Sequence, residues 1–529
     1  MQWIFRLRVF IIISLAVVLI SAAVTFSVIR AVVPYATAYK NEIQQEISQQ
    51  IGLPVEINSI DAAIHGFSPR LKLIGVSVFD EKNKVPLFNF REAFVELDVF
   101  ASIIRREIIV ADVGLVGADL SIEKLSDNEW MVQGIKITSE GSSELPDQFL
   151  YILQNADYLL HDSNIYYQDH TGEKLNLSLL DVNINVENNF NNHDIKFSMN
   201  LPEAYGHDLV VVASLHGDID ALTGDFYIEV HQLNVKQWNK KFTISDEYQL
   251  DAILDVDLWL TLKESNIQTL ITQLAAKNLS IRNKVTNRQW KTDYLSTKIH
   301  YSNVTTNTSG NWNVVVSDFY FGNQKQPAWV QPASIIASYD NEHYYLSADF
   351  LRVHDVQDIA QVFLSENQLA DLDKLKSYQI QADIYNLNLQ LPKEMSEQAL
   401  LEHLDMDASI IDFSMFDKEN DIRLSGIDAS LHYDIEDIFI DVKTEDAQVE
   451  IKKIFRGPLF AKTISGKLTL EHDENNWRLS SSQLQLKNSH INTFSRLDIR
   501  LSSEDNIFVD VQTDFTDAYG KYANHYVPV

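Results

Sequence analysis

The stretch LDAILDVDLWLTL, residues 250–262, puts Leu250, Ala252, Leu254, Val256, Leu258, Leu260 and Leu262 on alternate positions, with Asp251, Asp255, Asp257 and Thr261 between them. Successive side chains of a β-strand point to opposite faces, so this reads as a strand with one dry face and one wet face. The same period extends in both directions. EAFVELDVF (92–100) sets Ala93, Val95, Leu97 and Val99 against Glu96 and Asp98. KLNLSLLDVNINV (174–186) gives Leu175, Leu177 and Leu179, then Val182, Ile184 and Val186. IGLPVEINSIDAAIHGFSPRLKLIGVSVFD (51–80) alternates on both sides of a Gly-Phe-Ser-Pro break. Turn signals at DEKNK (80–84), NTSGN (307–311), DNE (340–342) and HDENN (472–476) separate the strands and predict a meander.

A sheet with one apolar face must hide that face. A second sheet does so in a sandwich, and closure does so in a barrel. A third solution is to curl the sheet into a trough filled by apolar ligands. The expected fold is mainly β: an elongated, curved antiparallel β-sheet groove with a few short helices, preceded by one N-terminal transmembrane helix. Roughly thirty strands at about 4.8 Å each would make a trough on the order of 140 Å long. A β-solenoid would need a fixed short repeat with Gly or Asn at turns, and none is visible. The candidate groove lining is Leu250, Leu254, Val256, Leu258 and Leu260, with Val95, Leu97, Leu177 and Ile184. For Leu254, Val256, Leu258 and Leu260 the plainer reading is dry core beneath a helix.

The chain has 529 residues, no cysteine and a net charge of −31. Without cysteine there are no disulfides, thiolate metal sites or Cys nucleophiles. So acidic a surface is repelled by nucleic acid and by anionic headgroups, so no nucleic-acid partner is expected. Any lipid must be met by an apolar surface.

Residues 9–29, VFIIISLAVVLISAAVTFSVI, carry no charge and would span about 32 Å as a helix, enough for a bilayer core. Arg6 and Arg8 precede them and favour a cytoplasmic N-terminus. Val9, Ile20 and Ile29 mark this anchor. A cleaved signal peptide, with SAA (21–23) or ATA (36–38) at the cleavage site, is the rival reading; the apolar run is long for it and continues to Val33. The expected organisation is a cytoplasmic 1–8, an inner-membrane anchor at 9–33, a short helix at 34–51 capping the groove, and a periplasmic body at 52–529. In that short helix Ala38, Ile43, Ile47 and Ile51 form a weak stripe.

Spacing of three and four also predicts helices over 145–160, 266–277, 355–375 and 393–404. Gly66, Phe67 and Pro69 read as a bend between strands. Trp130 and Trp477 follow turns and read as edge anchors packed on a sheet. The fifteen histidines are never closer than nine residues, as between His161 and His170. No HExxH pair, GxSxG, GxGxxG or Walker pattern occurs. Carboxylates are too common for any pair to stand out as an acid–base couple. No enzyme activity, metal or cofactor is therefore expected.

Several stretches in order resemble the YhdP branch of the AsmA-like proteins. After a basic N-terminus and a membrane helix comes VVPYATAYKNEIQQEISQQIGLPVEINSIDAAIHGFSPRLKLIGVSVFD, with its short helix, Gly-x-Pro-Val and Gly-Phe-x-Pro. FVELDVFASIIRREIIVADVGLVGADLSIEKLSDNEWMVQGI and FRGPLFAKTISGKLTLEHDENNWRLSSSQLQLKN continue the likeness. The resemblance implies an inner-membrane-anchored periplasmic protein of Gram-negative bacteria that moves phospholipid through a β-groove toward the outer membrane. Its implied partners are phospholipid, the inner membrane and outer-membrane or periplasmic proteins. Family members are expected to continue beyond YANHYVPV, which makes the chain either a short form or the N-terminal part of a longer protein. The alternative function is an AsmA/TamB-like scaffold that assembles outer-membrane proteins through its sheet edge. An anchored hydrolase would need clustered polar residues that the sequence does not reveal.

Overall fold

The computed structural model describes Ser27 and residues 37–526, except 80–85, 139–155, 395–402 and breaks of four residues or fewer. The expected anchor with Val9, Ile20 and Ile29 lies outside the described residues, as do Gly66, Phe67, the first part of the 145–160 helix and most of the 393–404 helix. Among the described residues no helix is long and apolar enough to cross a membrane. The helices that are described are α1 (Lys40–Ile51), α2 (Val99–Arg105), α3 (Val235–Asn239), α4 (Val353–Ala360), α5 (Glu366–Ser377) and α6 (Ala523–Tyr526). The chain divides into two compact units, residues up to 233 with 261–266, and the remainder.

The first unit carries β1 (Val55–His65), β2 (Ser68–Phe79), β3 (Pro86–Leu97), β4 (Val110–Ser126), β5 (Glu129–Val132), β6 (Ile135–Thr138), β7 (Asp157–Asp169), β8 (Leu175–Asn189), β9 (Asn192–Asn200), β10 (Asp208–His216) and β11 (Thr223–Asn234). Neighbours in sequence pair antiparallel, with one exception: β4 and β7 are parallel, Asp112 beside Asp157 through Lys124 beside Asp169. The sheet is therefore mixed, which corrects the expected all-antiparallel arrangement. β4 outruns β3, so its last residues pair with β5 on the edge that β3 vacates, and β7 takes the opposite edge. Residues 157–160, expected to be helical, open β7.

Helix α1 covers the start of this unit. Ile43 and Ile47 pack on a core of Val55, Ile57, Ile60, Val76 and Val78. Its polar side chains also occupy the edge of β1. Gln44 Oε1 accepts from Ile57 N at 3.1 Å, Ser48 Oγ accepts from Val55 N at 3.1 Å, and Lys40 Nζ donates to the Asn58 carbonyl at 3.0 Å. Edge groups that could recruit another strand are thus occupied.

The second unit carries most of β12 (Tyr248–Lys263), then β13 (Asn266–Asn283), β14 (Gln289–Thr306), β15 (Ser309–Asn323), β16 (Gln326–Pro327), β17 (Ala333–Tyr339), β18 (His343–Arg352), β19 (Gln381–Pro392), β20 (Asp405–Asp417), β21 (Ile422–Asp434), β22 (Asp437–Ile451), β23 (Leu459–Asp473), β24 (Asn476–Lys487), β25 (Asn492–Ser502) and β26 (Ile507–Thr516). The expected helix at 266–277 is β13. Its spacing of three and four arises because apolar residues lie on both faces: Leu270, Leu274 and Ala276 point one way, while Ile267 and Ile271 point the other and are 43% and 40% exposed. The expected helix at 355–375 is two helices, α4 and α5. The break falls at Ser365, whose backbone N and Oγ both donate to Gln368 Oε1, at 3.1 and 2.8 Å. This pairing starts a new helix at α5.

Within each unit the strands kink where their neighbours kink. In the first unit Gly75, Gly117, Asp162 and Asp181 all have positive φ, between 47° and 63°. The flanking register pairs place Gly75 beside Arg91, Arg91 beside Gly117, and Gly117 beside Asp162. Arg91 crosses Gly117 to reach Asp162 at 2.8 Å. In the second unit Asn386, Asp412, Gly426 and Asp446 repeat the device, and the first three sit at register shifts. Asp, Asn and Gly tolerate this conformation best, and an irregularity of this kind bends and twists its strand. Each line of kinks is therefore a crease in the sheet.

Ion pairs hold the polar face. Arg478 and Arg500 converge on Asp498 at 2.9 and 3.0 Å. Hydrogen bonds from Arg500 and then Arg478 hold the Asp498 carboxyl well below the usual carboxylate range. A depressed carboxyl contributes stability above the unfolded-state value and loses it as pH falls toward the folded one. In an Arg478→Ala/Arg500→Ala variant, side-chain carboxyl NMR should show Asp498 titrating at higher pH than in the parent.

The crease gives a second prediction. A Cβ on Gly117 would lie 2.8 Å from Arg91 Cβ, at φ +63°, whereas a Cβ on Gly520 meets nothing within 4 Å. Gly117→Ala should lower stability by about 1–3 kcal/mol and Gly520→Ala should not, read as shifts in urea midpoint.

Candidate functional site

The apolar face is organised by register into rows that cross the strands. In the first unit one row runs Ile60, Leu73, Ala93, Leu115, Leu160, Ile184, Phe197, Val211 and Ile228, each paired with the next. It crosses nine strands without a polar residue. Beside it run Ala62, Leu71, Val95, Val113, Tyr158, Val186, Ile195, Ala213 and Phe226. Ile60 is buried beneath α1, and from Leu73 to Ile228 the first row is half-buried. Leu160, Ile184, Phe197 and Val211 line a hollow of about 280 Å³ on this row.

The second unit carries a longer row. Leu270 pairs with Tyr301, then Val314, Ala337, Leu346, Leu389 and Met406. It continues through Tyr433, Ile438, Leu470, Leu479, Ile499 and Val509. Thirteen strands contribute, and no position is charged or an amide. Tyr433 is 7% exposed and Val509 57%; the residues between Leu270 and Ile499 are otherwise half-buried. Apolar side chains set opposite one another stabilise a sheet, but a face covered by a second layer would be buried throughout.

The sequence candidates fall into three groups. Ile184 lies on the first-unit row and Val95 on its neighbour. Leu177 is buried across the crease from Ile184, opposite Tyr167, and Leu97 follows a register shift and faces Val110. Those two therefore do not continue the row. Leu250, Leu254, Val256, Leu258 and Leu260 are half-buried on β12. Asp255 lies 3.9 Å from the exposed Lys277, so the acids of β12 share the polar face of β13. By alternation the leucines and Val256 share the face of Leu270 and Leu274. Trp130 packs on Tyr167, with ring centroids 6.4 Å apart. Trp477 is half-exposed and lies one pair beyond Leu479, opposite Leu501.

One end of the strands in the second unit is filled. Trp329 and Phe350 are 3% and 2% exposed, and their rings meet at 5.2 Å. Phe321 meets Trp329 at 5.1 Å and Phe319 meets it at 5.6 Å. Trp329 Nε1 donates to Asp355 of α4 at 2.7 Å, and the buried Asn283 side chain donates to the Val362 carbonyl at 3.0 Å. Here the α4–α5 segment and an aromatic cluster form a true core.

Among the described residues, Asp405, Asp407 and His432 are the group whose ligand atoms come within 4.8 Å of one another; all three are exposed. Asp407 and His432 already pair at 2.8 Å.

A family model described as YhdP protein matches residues 1–529, the whole chain. The chain belongs to the YhdP family. No curated protein and no solved structure matches it. For a YhdP-family chain, the rows were hidden from sequence inspection because each needs the register of up to thirteen strands.

The two kinds of apolar site should respond differently to truncation. Trp329→Ala should cost about 3–5 kcal/mol, whereas Leu389→Ala on the half-buried row should cost less than about 2 kcal/mol, compared as urea midpoints.

Proposed function

We propose that this chain is a lipid-transfer protein, anchored in the inner membrane by residues 9–33, that carries phospholipid along the apolar face of its periplasmic sheet toward the outer membrane. The single observation that carries this reading is the uninterrupted apolar row, which crosses thirteen strands in one unit, half-buried at all but Tyr433 and Val509, and is echoed across nine in the other. Transfer of hydrocarbon out of water is worth about 0.8 kcal/mol per CH₂, so an acyl chain leaving a bilayer needs an apolar surface at every step. A row that never meets a charge provides it. Headgroups stay in water, away from a body whose net charge is −31. The process makes and breaks no covalent bond, so the protein is not an enzyme and needs no cofactor. Family membership and an open sheet are consistent with this role.

Scaffolding is the second reading, and β26 favours it. This strand pairs with β25, and its Phe508, Val509, Val511 and Phe515 are all more than half exposed. A partner strand added there would cover them.

A photoreactive amino acid at Leu389 in the full chain should crosslink phospholipid, and one at Asp407 on the polar face should not. Leu389→Arg should abolish lipid recovery from the purified protein without shifting its urea midpoint by more than a mild amount. Equal crosslinking on both faces, or unchanged lipid content in Leu389→Arg, would count against the conduit. A dry protein held tightly to a protein partner would favour the scaffold.

A further inference from the structure

Helix α2 links the end of β3 to the start of β4 and buries none of its own residues. Three contacts fix its orientation. The Asp98 carboxylate accepts from Ala101 N at 2.8 Å, Ser102 Oγ accepts from Ile109 N at 2.9 Å, and Arg106 N donates to the Ser102 carbonyl. At about 3.6 residues per turn, Phe100, Ile103 and Ile104 share an arc of about 100° on the side away from Ser102. Phe100 and Ile103 are more than half exposed, and Ile104 is 81% exposed. Arg105 and Arg106 follow directly, and both are exposed.

An apolar knuckle held outward by caps keeps its affinity for an apolar medium. A stable protein interface buries about 800 Å² per partner and needs a matching shape, and three side chains on a two-turn helix fall short of that. A bilayer needs no matching shape. Charge points the same way. The chain carries a net charge of −31, yet the described acids nearest α2 in sequence are engaged: Arg70 holds Glu96 at 2.7 Å and Asp112 at 3.1 Å, and Asp98 caps the helix. Arg105 and Arg106 set cations beside the knuckle, where their stems can lie along an interface while their guanidinium groups meet lipid phosphate. Chain direction agrees. Ser48 lies by Val55, Gln44 by Ile57 and Lys40 by Asn58, so α1 runs antiparallel to β1. The N-terminal end of α1, which leads back to residues 9–33, therefore points toward the end of the sheet where β1 and β3 finish and α2 sits. Tyr39, an amphipathic ring suited to a membrane interface, is exposed at that end of α1.

Resting on the reading of residues 9–33 as a membrane anchor, we infer that α2 is a second contact with the same bilayer. Phe100, Ile103 and Ile104 enter its interfacial region, and Arg105 and Arg106 bind its anionic headgroups. A single tether leaves the body free to swing; a second contact fixes its orientation. Val95 of the apolar rows precedes Asp98 by three residues, so this contact holds the start of the apolar face at the bilayer surface.

The test uses the full chain in vesicles of phosphatidylcholine and phosphatidylglycerol. With no native cysteine, Ile104→Cys can carry a single environment-sensitive fluorophore, and Glu56→Cys, exposed near the opposite end of β1, serves as the control. The Ile104 probe should shift to the blue and be quenched by lipid brominated in the upper acyl chain, while the Glu56 probe does neither. Adding Ile103→Asp, or Arg105→Gln with Arg106→Asn (Asn tolerates the left-handed φ of 58° at that position), should lower the docked-to-undocked ratio about tenfold. Neither change should move the urea midpoint, because the altered side chains are exposed. A blue-shifted Ile104 probe that brominated lipid fails to quench would show a protein cover and overturn the membrane assignment. An Ile104 probe in water, on a chain that still floats with the vesicles, overturns the second contact and leaves the anchor standing. A chain that does not float with the vesicles sinks both.

Discussion

An apolar face on a sheet must be taken out of water, and most of this molecule follows from how that requirement is met. A sandwich spends a second sheet on it. Among the described residues, α1 covers part of the face in the first unit and α4–α5 with the Trp329 cluster covers part of it in the second, where Val442, Ala447, Ala461 and Ile464 form another buried cluster. Along the rows most of the Leu, Val, Ile, Phe and Tyr side chains stay half-buried. Hydrophobic burial is the main favourable term in folding, and a sheet that leaves it incomplete retains affinity for anything apolar that can fit. Incomplete burial is a weakness in a structural protein and a requirement in one that binds hydrocarbon.

The creases complement this design. A flat sheet would present its apolar face to bulk water. Gly75, Gly117, Asp162 and Asp181 kink neighbouring strands at neighbouring positions, so the strands bend together. The Arg91–Asp162 pair ties the bend on the polar face. Beyond the bend, alternation changes phase, which keeps apolar residues on the same side despite the kink. β8 shows this directly: Leu175, Leu177 and Leu179 precede the slip on odd positions, Val182, Ile184 and Val186 follow it on even ones, and Asp181 sits between.

Much of this was written in the sequence. Period two predicted the strands of β3, β8 and β12, and the stripe of Ile43 and Ile47 predicted a short helix there. The slip from Leu179 to Val182 was visible as well, and it marks the crease. Other features needed coordinates. Leu270, Ile271 and Leu274 mimic a helical stripe because β13 has apolar residues on both faces. The parallel pairing of β4 and β7 joins strands far apart in the sequence, and the start of β7 lay inside the helix expected over 145–160. The rings of Trp312, Tyr339 and Tyr344 come together from three strands whose registers no local pattern gives, and Leu177 looked equivalent to Ile184 until the crease separated them. Sequence reports which face a residue takes; only register reports its neighbours across the sheet.

The central claim is that the apolar rows are accessible and admit hydrocarbon. The chain has no cysteine, so single cysteines placed at Leu270, Leu346, Leu389, Ile438 and Ile499 can be assayed one at a time with a small apolar thiol reagent. The account predicts that all five react in lipid-free protein and become protected when phospholipid is added, while cysteines at the polar-face positions Asp407 and Asp441 react equally in both states. Cysteines along the row that are unreactive with or without lipid would show a sealed core and contradict it.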